Sequence, residues 1–416
     1  MKPHKFFLFV LHPFLSGIGP GDKIGMIANN RWEWAALACA AYSLTAGIVP
    51  MYEAQLPSDW SYIVNDSQAK VLFVANQDIY DRVQTEVTPS APTLQSVLCF
   101  DAAEGEPHSF KTAMAQATVD AEGKLILPPT VDDLASLIYT SGTTGKPKGV
   151  ELTHNNICTN VLGAARTMVE NPHDFFKETD RSLAFLPWAH SYGQTCELWL
   201  GIAHGASAGI CRGVPFILED LQKVKPTALF AVPTLYKKVY DGVNNVMETA
   251  NPRRKYLMQK ALDLGKKNAA HKQGLGPALG FMEKLQFKAL DSIVLSKIRD
   301  RFGGNLQVAF VAGAACPAEV IKFMDALGIP VLEGYGLTET SPIITINSPE
   351  QRCVGSVGRP IGGVEVHIID EDGKPLPPGV DGEICCTGPN IMKGYFNNPT
   401  ATEEVISVGP DGKSKM

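Results

Sequence analysis

Leu137-Ile-Tyr-Thr-Ser-Gly-Thr-Thr-Gly-Lys-Pro-Lys-Gly-Val150 is the stretch from which the rest of the chain can be read. The apolar run Leu134–Thr140 has the length and composition of a buried strand, and it delivers the chain straight into a glycine-rich loop. The loop holds Gly142, Gly145 and Gly149, the hydroxyl residues Thr140, Ser141, Thr143 and Thr144, and the cations Lys146 and Lys148. Glycines let successive backbone N–H groups turn toward one point and form an anion nest. The hydroxyls add donors and the lysines add positive charge, a combination suited to a polyphosphate. It is not a Walker-type P-loop. Two residues rather than four separate Gly142 from Gly145, and Pro147 rather than Ser or Thr follows Lys146.

Around this loop, strand-like and helix-like segments alternate. Lys23–Ile27 reads as a strand, Trp32–Leu44 as a buried helix, and a further apolar strand ends at Val49. Val71–Val74 and Val97–Phe100 are short strands, and Asn155–Val169 is a helix with Ile157, Val161, Ala165 and Met168 on one face. Such alternation predicts an α/β fold with mainly parallel sheets. Residues 101–130 mix Gly, Pro, Ala and charge and read as surface loop. Residues 235–302 read as a helix-rich, basic insert. Between Asn251 and Arg301 there are 12 Lys and Arg against 4 Asp and Glu, so this part carries +8 in a chain of net charge -6. That excess predicts either solvated helix faces or a surface that meets anionic lipid or substrate phosphates. From Cys353 onward, short strands such as Val364–Ile369 and Gly382–Thr387 alternate with turns, which predicts an antiparallel unit like a small barrel.

With 416 residues the chain has room for two or three structural units. The mild acidic balance argues against a nucleic-acid partner, which calls for a strong basic excess. Nine cysteines without a CxxC pair read as reduced and intracellular, mostly core fillers, rather than a disulfide framework. The apolar run Phe6–Leu11 is too short to span a bilayer. The expectation is an intracellular protein, soluble or peripheral to a membrane through the basic insert.

Tyr139–Val150, followed by Leu152-Thr-His154, resembles the signature phosphate loop of the adenylate-forming (AMP-binding) superfamily, which includes the long-chain acyl-CoA synthetases, firefly-type luciferases and peptide-synthetase adenylation domains. Four more segments resemble that superfamily in the expected order: Phe185-Leu-Pro-Trp-Ala-His-Ser-Tyr-Gly193, Val311-Ala-Gly-Ala-Ala-Cys-Pro317, Glu333-Gly-Tyr-Gly-Leu-Thr-Glu-Thr-Ser-Pro342, and Gly382-Glu383 with Met392-Lys-Gly-Tyr-Phe396. Val49-Pro-Met-Tyr52, Tyr62-Ile-Val-Asn65 and the helical insert resemble the long-chain subgroup. The likeness runs from about Gly21 to Glu404.

The resemblance implies two stacked αβα subdomains over residues 1–352, with the β-rich unit over residues 353–416. It implies that Thr140, Ser141, Gly142, Thr143, Thr144, Gly145, Lys146 and Lys148 hold the phosphates of ATP. Adenine is expected at Gly313, Ala314, Ala315, Gly334, Tyr335 and Gly336, with Tyr335 stacking on the base. Thr338 is expected on the α-phosphate, Glu339 on Mg²⁺, and Trp188, His190, Tyr192 and Gly193 along the acyl pocket; Thr338, Glu339 and His190 form the catalytic set. The 312–317 turn departs from the family pattern, and the extra methyl of Ala314 is expected to narrow the acyl path. No acidic residue lies between Ser182 and Cys196, where the amino-acid-activating members place an Asp. The implied substrates are a fatty acid, ATP and coenzyme A. The family continues to a Thr-Gly-Asp, a hinge and a small C-terminal domain that carries a catalytic lysine, and this sequence is expected to stop short of all three. A non-catalytic binding module, or an enzyme with another acyl acceptor, stays open as an alternative.

Overall fold

The structure is a computed structural model and describes residues 17–116, 129–140, 145–169, 176–408 and 414–416. The first sheet is built from β1 (Lys23–Ile27), β2 (Gly47–Met51), β3 (Val71–Val74), β4 (Ser96–Cys99), β5 (Leu134–Thr140) and β6 (Lys148–Thr153). A small parallel pair, β7 (Arg181–Ala184) and β8 (Ser207–Ile210), follows. The second sheet holds β9 (Ala228–Ala231), β10 (Val308–Val311), β11 (Val331–Gly336), β12 (Ile343–Ile346) and β13 (Arg359–Pro360). Last come β14 (Glu365–Ile369), β15 (Glu383–Thr387), β16 (Gly394–Tyr395), β17 (Ser407–Val408) and β18 (Ser414–Lys415).

The first sheet has the order β16-β6-β5-β2-β1-β3-β4. Its interior pairings are parallel, and β6 and β16 are added antiparallel at one edge. In the second sheet β9, β10 and β11 are parallel, and β12 and β13 are antiparallel. β14, β15, β18 and β17 make a separate antiparallel sheet. The fold is thus α/β with mainly parallel sheets.

The core shows why these strands form. β2, β3, β9 and β10 are buried along their whole length, as uniformly apolar parallel strands covered on both faces must be. Side chains alternate across the second sheet with period two. Leu229, Ala231, Ala309 and Val311 pack with the helical insert, while Ala228, Phe230, Val308 and Phe310 face a core shared with the first sheet. The helix His154–Val169 fills that shared core with Ile157, Val161 and Ala164. Ala165 is half-buried against it, and the side chain of Met168 lies outside the described residues.

The insert is helical, as its composition predicts. It runs through Pro233–Thr249, Pro252–Lys272 and Phe281–Leu290 to short turns ending at Phe302. Several expectations change. The strand read as ending at Val49 runs to Met51, and two strands of the 353–416 unit, β13 and β16, join the second and first sheets. Within 101–130, read as loop, Phe110–Gln116 is a helix, because Phe110 enters an aromatic cluster with Phe73 and Phe100 at centroid separations of 6.1 and 5.1 Å. Phe6–Leu11 lies outside the described residues. Among them, no helix is long and apolar enough to cross a membrane.

Candidate functional site

β9 and β10 end level with each other, Ala231 beside Val311, and β11 runs on past Glu333, the partner of Val311, to Gly336. Ligands of open parallel sheets sit beyond such carboxyl ends. There a cleft of about 600 Å³, counted to its open mouth, is walled by three of the sequence segments. Ala312 and Gly313 come from the turn after β10, Gly334–Thr338 from the end of β11, and His190, Ser191 and Tyr192 from the segment after β7. The inner end is apolar, with Cys196, Leu200, Phe230, Phe310, Leu332 and Ile346. No acidic side chain lines it.

The 186–192 segment is held from below. The Asn30 side chain donates to the Leu186 carbonyl at 2.8 Å and accepts from Trp188 N–H at 2.9 Å. At its tip, the Tyr192 backbone N–H donates to Nδ1 of His190 at 3.1 Å. A backbone amide can only donate, so Nδ1 must be the acceptor and Nε2 carries the proton. The surrounding atoms strip solvation from the ring and lower the His190 pKa below its ordinary 6.5, although one side opens on the cleft. The result is a neutral imidazole with one N–H free to donate. The Tyr192 hydroxyl reaches the carbonyl of Ala231 at 3.4 Å, tying this tip to the end of β9.

The turn after β11 is fixed by side chains from distant segments. The hydroxyls of Ser191 and Thr338 are 3.2 Å apart and buried. Asn160 donates to the carbonyls of Thr340 and Ile343 at 3.1 and 2.8 Å. Asn390 donates to the same Thr340 carbonyl at 3.1 Å. Gly336 is required by close approach, since a Cβ there would overlap the carbonyl oxygen of Pro342.

The glycine-rich loop enters through its stems. Ser141, Gly142, Thr143 and Thr144 lie outside the described residues. Thr140 ends β5, and Lys148 opposite it opens β6. The stems are braced on the helix Pro57–Ser67. Tyr139 O–H donates to Asp66 at 2.6 Å, Tyr62 O–H donates to the Pro147 carbonyl at 3.1 Å, and Lys146 Nζ sits 5.3 Å from the Tyr62 ring centroid. Gly145, Lys146 and Lys148 line a polar hollow with Tyr62, Asp66 and Asn398.

Tyr395 joins this loop to the cleft. Its hydroxyl donates to Oε1 of Glu339 at 2.8 Å, and Lys148 Nζ lies 4.9 Å from its ring centroid. Burial first, and then Glu339, push the Tyr395 phenol well above its ordinary range, so it stays a donor. Glu339 is half-buried, and its Oε2 has no partner among the described residues. No group of three or more His, Cys, Asp or Glu that could hold a metal occurs among those residues. A single carboxylate fits a magnesium ion whose other ligands are phosphate oxygens and water.

The structure therefore brings His190, Tyr192, Gly313, Gly334, Tyr335, Gly336 and Thr338 onto one cleft. Ala314 and Ala315, in the same turn as Gly313, are exposed and do not line the cleft, so the Ala314 methyl does not narrow it. Trp188 and Gly193, expected along the acyl pocket, stand elsewhere. Trp188 packs edge-on against Trp34 with centroids 5.7 Å apart and donates to buried Glu197 at 3.2 Å. Gly193 lets its helix settle on the carbonyls of Leu186 and Pro187, where a Cβ would collide. The braces Asn160, Asn390 and Tyr395 were not singled out from sequence. Tyr395 lies within the quoted 392–396 segment, but its partner is 56 positions away.

A family model described as AMP-binding enzyme matches residues 12–396. The chain belongs to the AMP-binding enzyme family. Members similar to it include the peroxisomal long chain acyl-CoA synthetase 7 of Arabidopsis thaliana, 31% identical over 412 residues, covering 94% of this chain and 55% of that protein. The long-chain-fatty-acid–CoA ligase FadD15 of Mycobacterium bovis is 31% identical over 396 residues, covering 94% of this chain and 62% of that one. The chain spans little more than half the length of these relatives. Among solved structures, the long-chain-fatty-acid-CoA ligase FadD1 of Archaeoglobus fulgidus superposes with a TM-score of 0.73 at 20% identity, covering 99% of this chain and 72% of that one. Apo MatB of Rhodopseudomonas palustris gives 0.72 at 23% identity, covering 99% and 68%. These likenesses establish a shared fold.

Proposed function

We propose that the chain forms the nucleotide- and acid-binding part of an ATP-dependent acid–thiol ligase. The enzyme activates a fatty acid as acyl-AMP and passes the acyl group to coenzyme A. One observation carries this reading: a single cleft joins a polar rim bearing Tyr335, Thr338 and His190 to an apolar inner end without any acidic residue. An acyl-adenylate has the same two halves.

A carboxylate is a poor electrophile because its leaving group would be oxide. Attack of its oxygen on the α-phosphorus, with departure of pyrophosphate, supplies AMP as a better leaving group. Positioning and charge neutralisation dominate such transfers. The face of Tyr335 suits adenine. Thr338, held by Ser191, presents a hydroxyl toward the α-phosphate. The Nε2–H of His190 is a neutral donor for the acid's carboxylate and does not pull a proton off the nucleophile. Thr140, Lys146, Lys148 and the loop between them are assigned the β- and γ-phosphates. Magnesium, when bound, neutralises charge on the phosphate oxygens, and Glu339 is the carboxylate that would hold it.

The apolar inner end supports an alkyl chain over an amino acid or acetate. Burying each further CH₂ is worth about 0.8 kcal/mol. The test is ATP–pyrophosphate exchange and CoA-dependent AMP release by the whole enzyme that contains this chain, across acids from acetate to palmitate; the 416 residues alone are expected to be poorly active. Rising specificity with chain length supports the reading. A flat or falling series, or AMP release indifferent to CoA, rejects it.

A further inference from the structure

The basic insert contains a second groove, which shares no lining residue with the substrate cleft. It opens between the helices Pro233–Thr249 and Pro252–Lys272 and the turn Asp291–Leu295. It holds about 1400 Å³ counted to its mouth. The floor is formed by buried Val239, Met258 and Ile298, and the lip by exposed Val246, Leu257 and Ile293. Lys238, Arg254, Lys297 and Arg301 also line it, and no acidic residue does.

Some cations of the insert have ion-pair partners among the described residues, and others, outside the groove, have none. Lys237 pairs with Asp241, Lys267 with Glu283, and Arg299 with Asp291. The four groove cations pair with no described residue. Four cations without an ion-pair partner thus line an opening where apolar surface is recessed. An exposed apolar surface of this kind marks a place where something docks. Recession argues against a flat bilayer, which would leave the floor unfilled, and for a single inserted chain.

We propose that this groove binds single-chain amphiphiles that carry a phosphate head group. The alkyl chain lies along Val239, Met258 and Ile298, and the phosphate sits among Lys238, Arg254, Lys297 and Arg301. A phosphate monoester carries up to two charges and three strong acceptor oxygens, enough to engage several cations at once. The planar forks of Arg254 and Arg301 suit it. A lone carboxylate would leave most of that positive charge unmet. The site is independent of the ligase reading, because neither ATP nor turnover enters the argument.

The experiment is calorimetric titration of the whole chain with dodecyl phosphate below its micelle concentration, with and without saturating ATP. Binding should be unchanged by ATP. Dodecyl maltoside and inorganic phosphate should each bind at least about tenfold more weakly, since each lacks one half of the ligand. Lys297→Glu and Arg301→Glu, both at exposed positions that folding tolerates, should each weaken binding by about tenfold or more. Val246→Asp at the lip should do the same. Lys255→Glu, on the same helix as Arg254 but outside the groove, should change it less than about twofold. Three results would overturn the proposal: competition by ATP, which would put the ligand in the substrate cleft; equal losses for Lys255→Glu and Lys297→Glu, which would mean diffuse charge; or binding to phosphatidylglycerol vesicles with none to the monomer, which would mean a membrane surface.

Discussion

Replacing Tyr395 by Phe removes one hydroxyl and keeps the ring on which Lys148 rests. The hydroxyl donates at 2.8 Å to Oε1 of Glu339, and a hydrogen bond to a charged acceptor is worth about 1.5–3 kcal/mol. Glu339 is half-buried, so water recovers part of that. The expected net loss is roughly 1–1.5 kcal/mol, about tenfold in affinity. If Glu339 serves the metal, the loss should fall on Mg²⁺-ATP and scarcely on metal-free AMP, which depends on the Tyr335 face. Glu339→Gln should show the same selectivity more strongly, because it removes the hard cation ligand itself. In the Glu339→Gln background, Tyr395→Phe should add little, because its charged partner has already gone. The assay is calorimetry with both nucleotides on the wild type, the two single variants and the double variant. Equal losses for AMP and Mg²⁺-ATP, or strict additivity of the two substitutions, would refute the reasoning and make the pair a structural contact.

Gly336→Ala should cost more than about 3 kcal/mol of stability or abolish nucleotide binding, since the new methyl meets the Pro342 carbonyl; a melt within a degree or two of wild type would show that the turn yields. Asn160→Ala should cost about 1–3 kcal/mol, because two buried carbonyls lose a donor, and nucleotide affinity should fall with it; unchanged affinity would separate the brace from the site. Burial lowers the pKa of both His154 and His190 below 6.5 in the folded protein. The unfolded chain therefore takes up these protons first, so stability should be flat above about pH 7 and fall as pH drops through 6.5 toward the folded values. His154→Phe should reduce that slope without cost at pH 7, since its Nε2 is buried without a partner; a slope unchanged in the variant would assign the effect elsewhere.

How much of this was legible in the sequence follows from the range of the interactions involved. β3 could be bounded to the residue, because a buried parallel strand advertises itself as an unbroken apolar run. The insert was legible as helix and as charge, but not as a groove, since which cations lack partners depends on packing between helices. Phe110–Gln116 was missed because its one strong signal, Phe110, finds partners at Phe73 and Phe100 only after the sheet forms. β16 is two residues long and exists because β6 offers an edge. At the site, the resemblance pointed to the segments but not to their internal division of labour. It could not tell that Trp188 faces Trp34, or that Gly193 serves helix packing. Asn160, Asn390 and Tyr395 act on residues tens to hundreds of positions away, and a lone Asn or Tyr carries no local mark of such a role.

The central claim is that one cleft holds both halves of an acyl-adenylate. Calorimetry with a non-hydrolysable analogue, palmitoyl-sulfamoyl adenosine, tests it most directly because binding alone is read. The account predicts affinity at least about a hundredfold above that of AMP, as joining two bound fragments implies. It also predicts weaker binding of the acetyl analogue and a loss on Tyr335→Ala. Affinity no better than that of AMP, or indifferent to both acyl length and Tyr335, would contradict it.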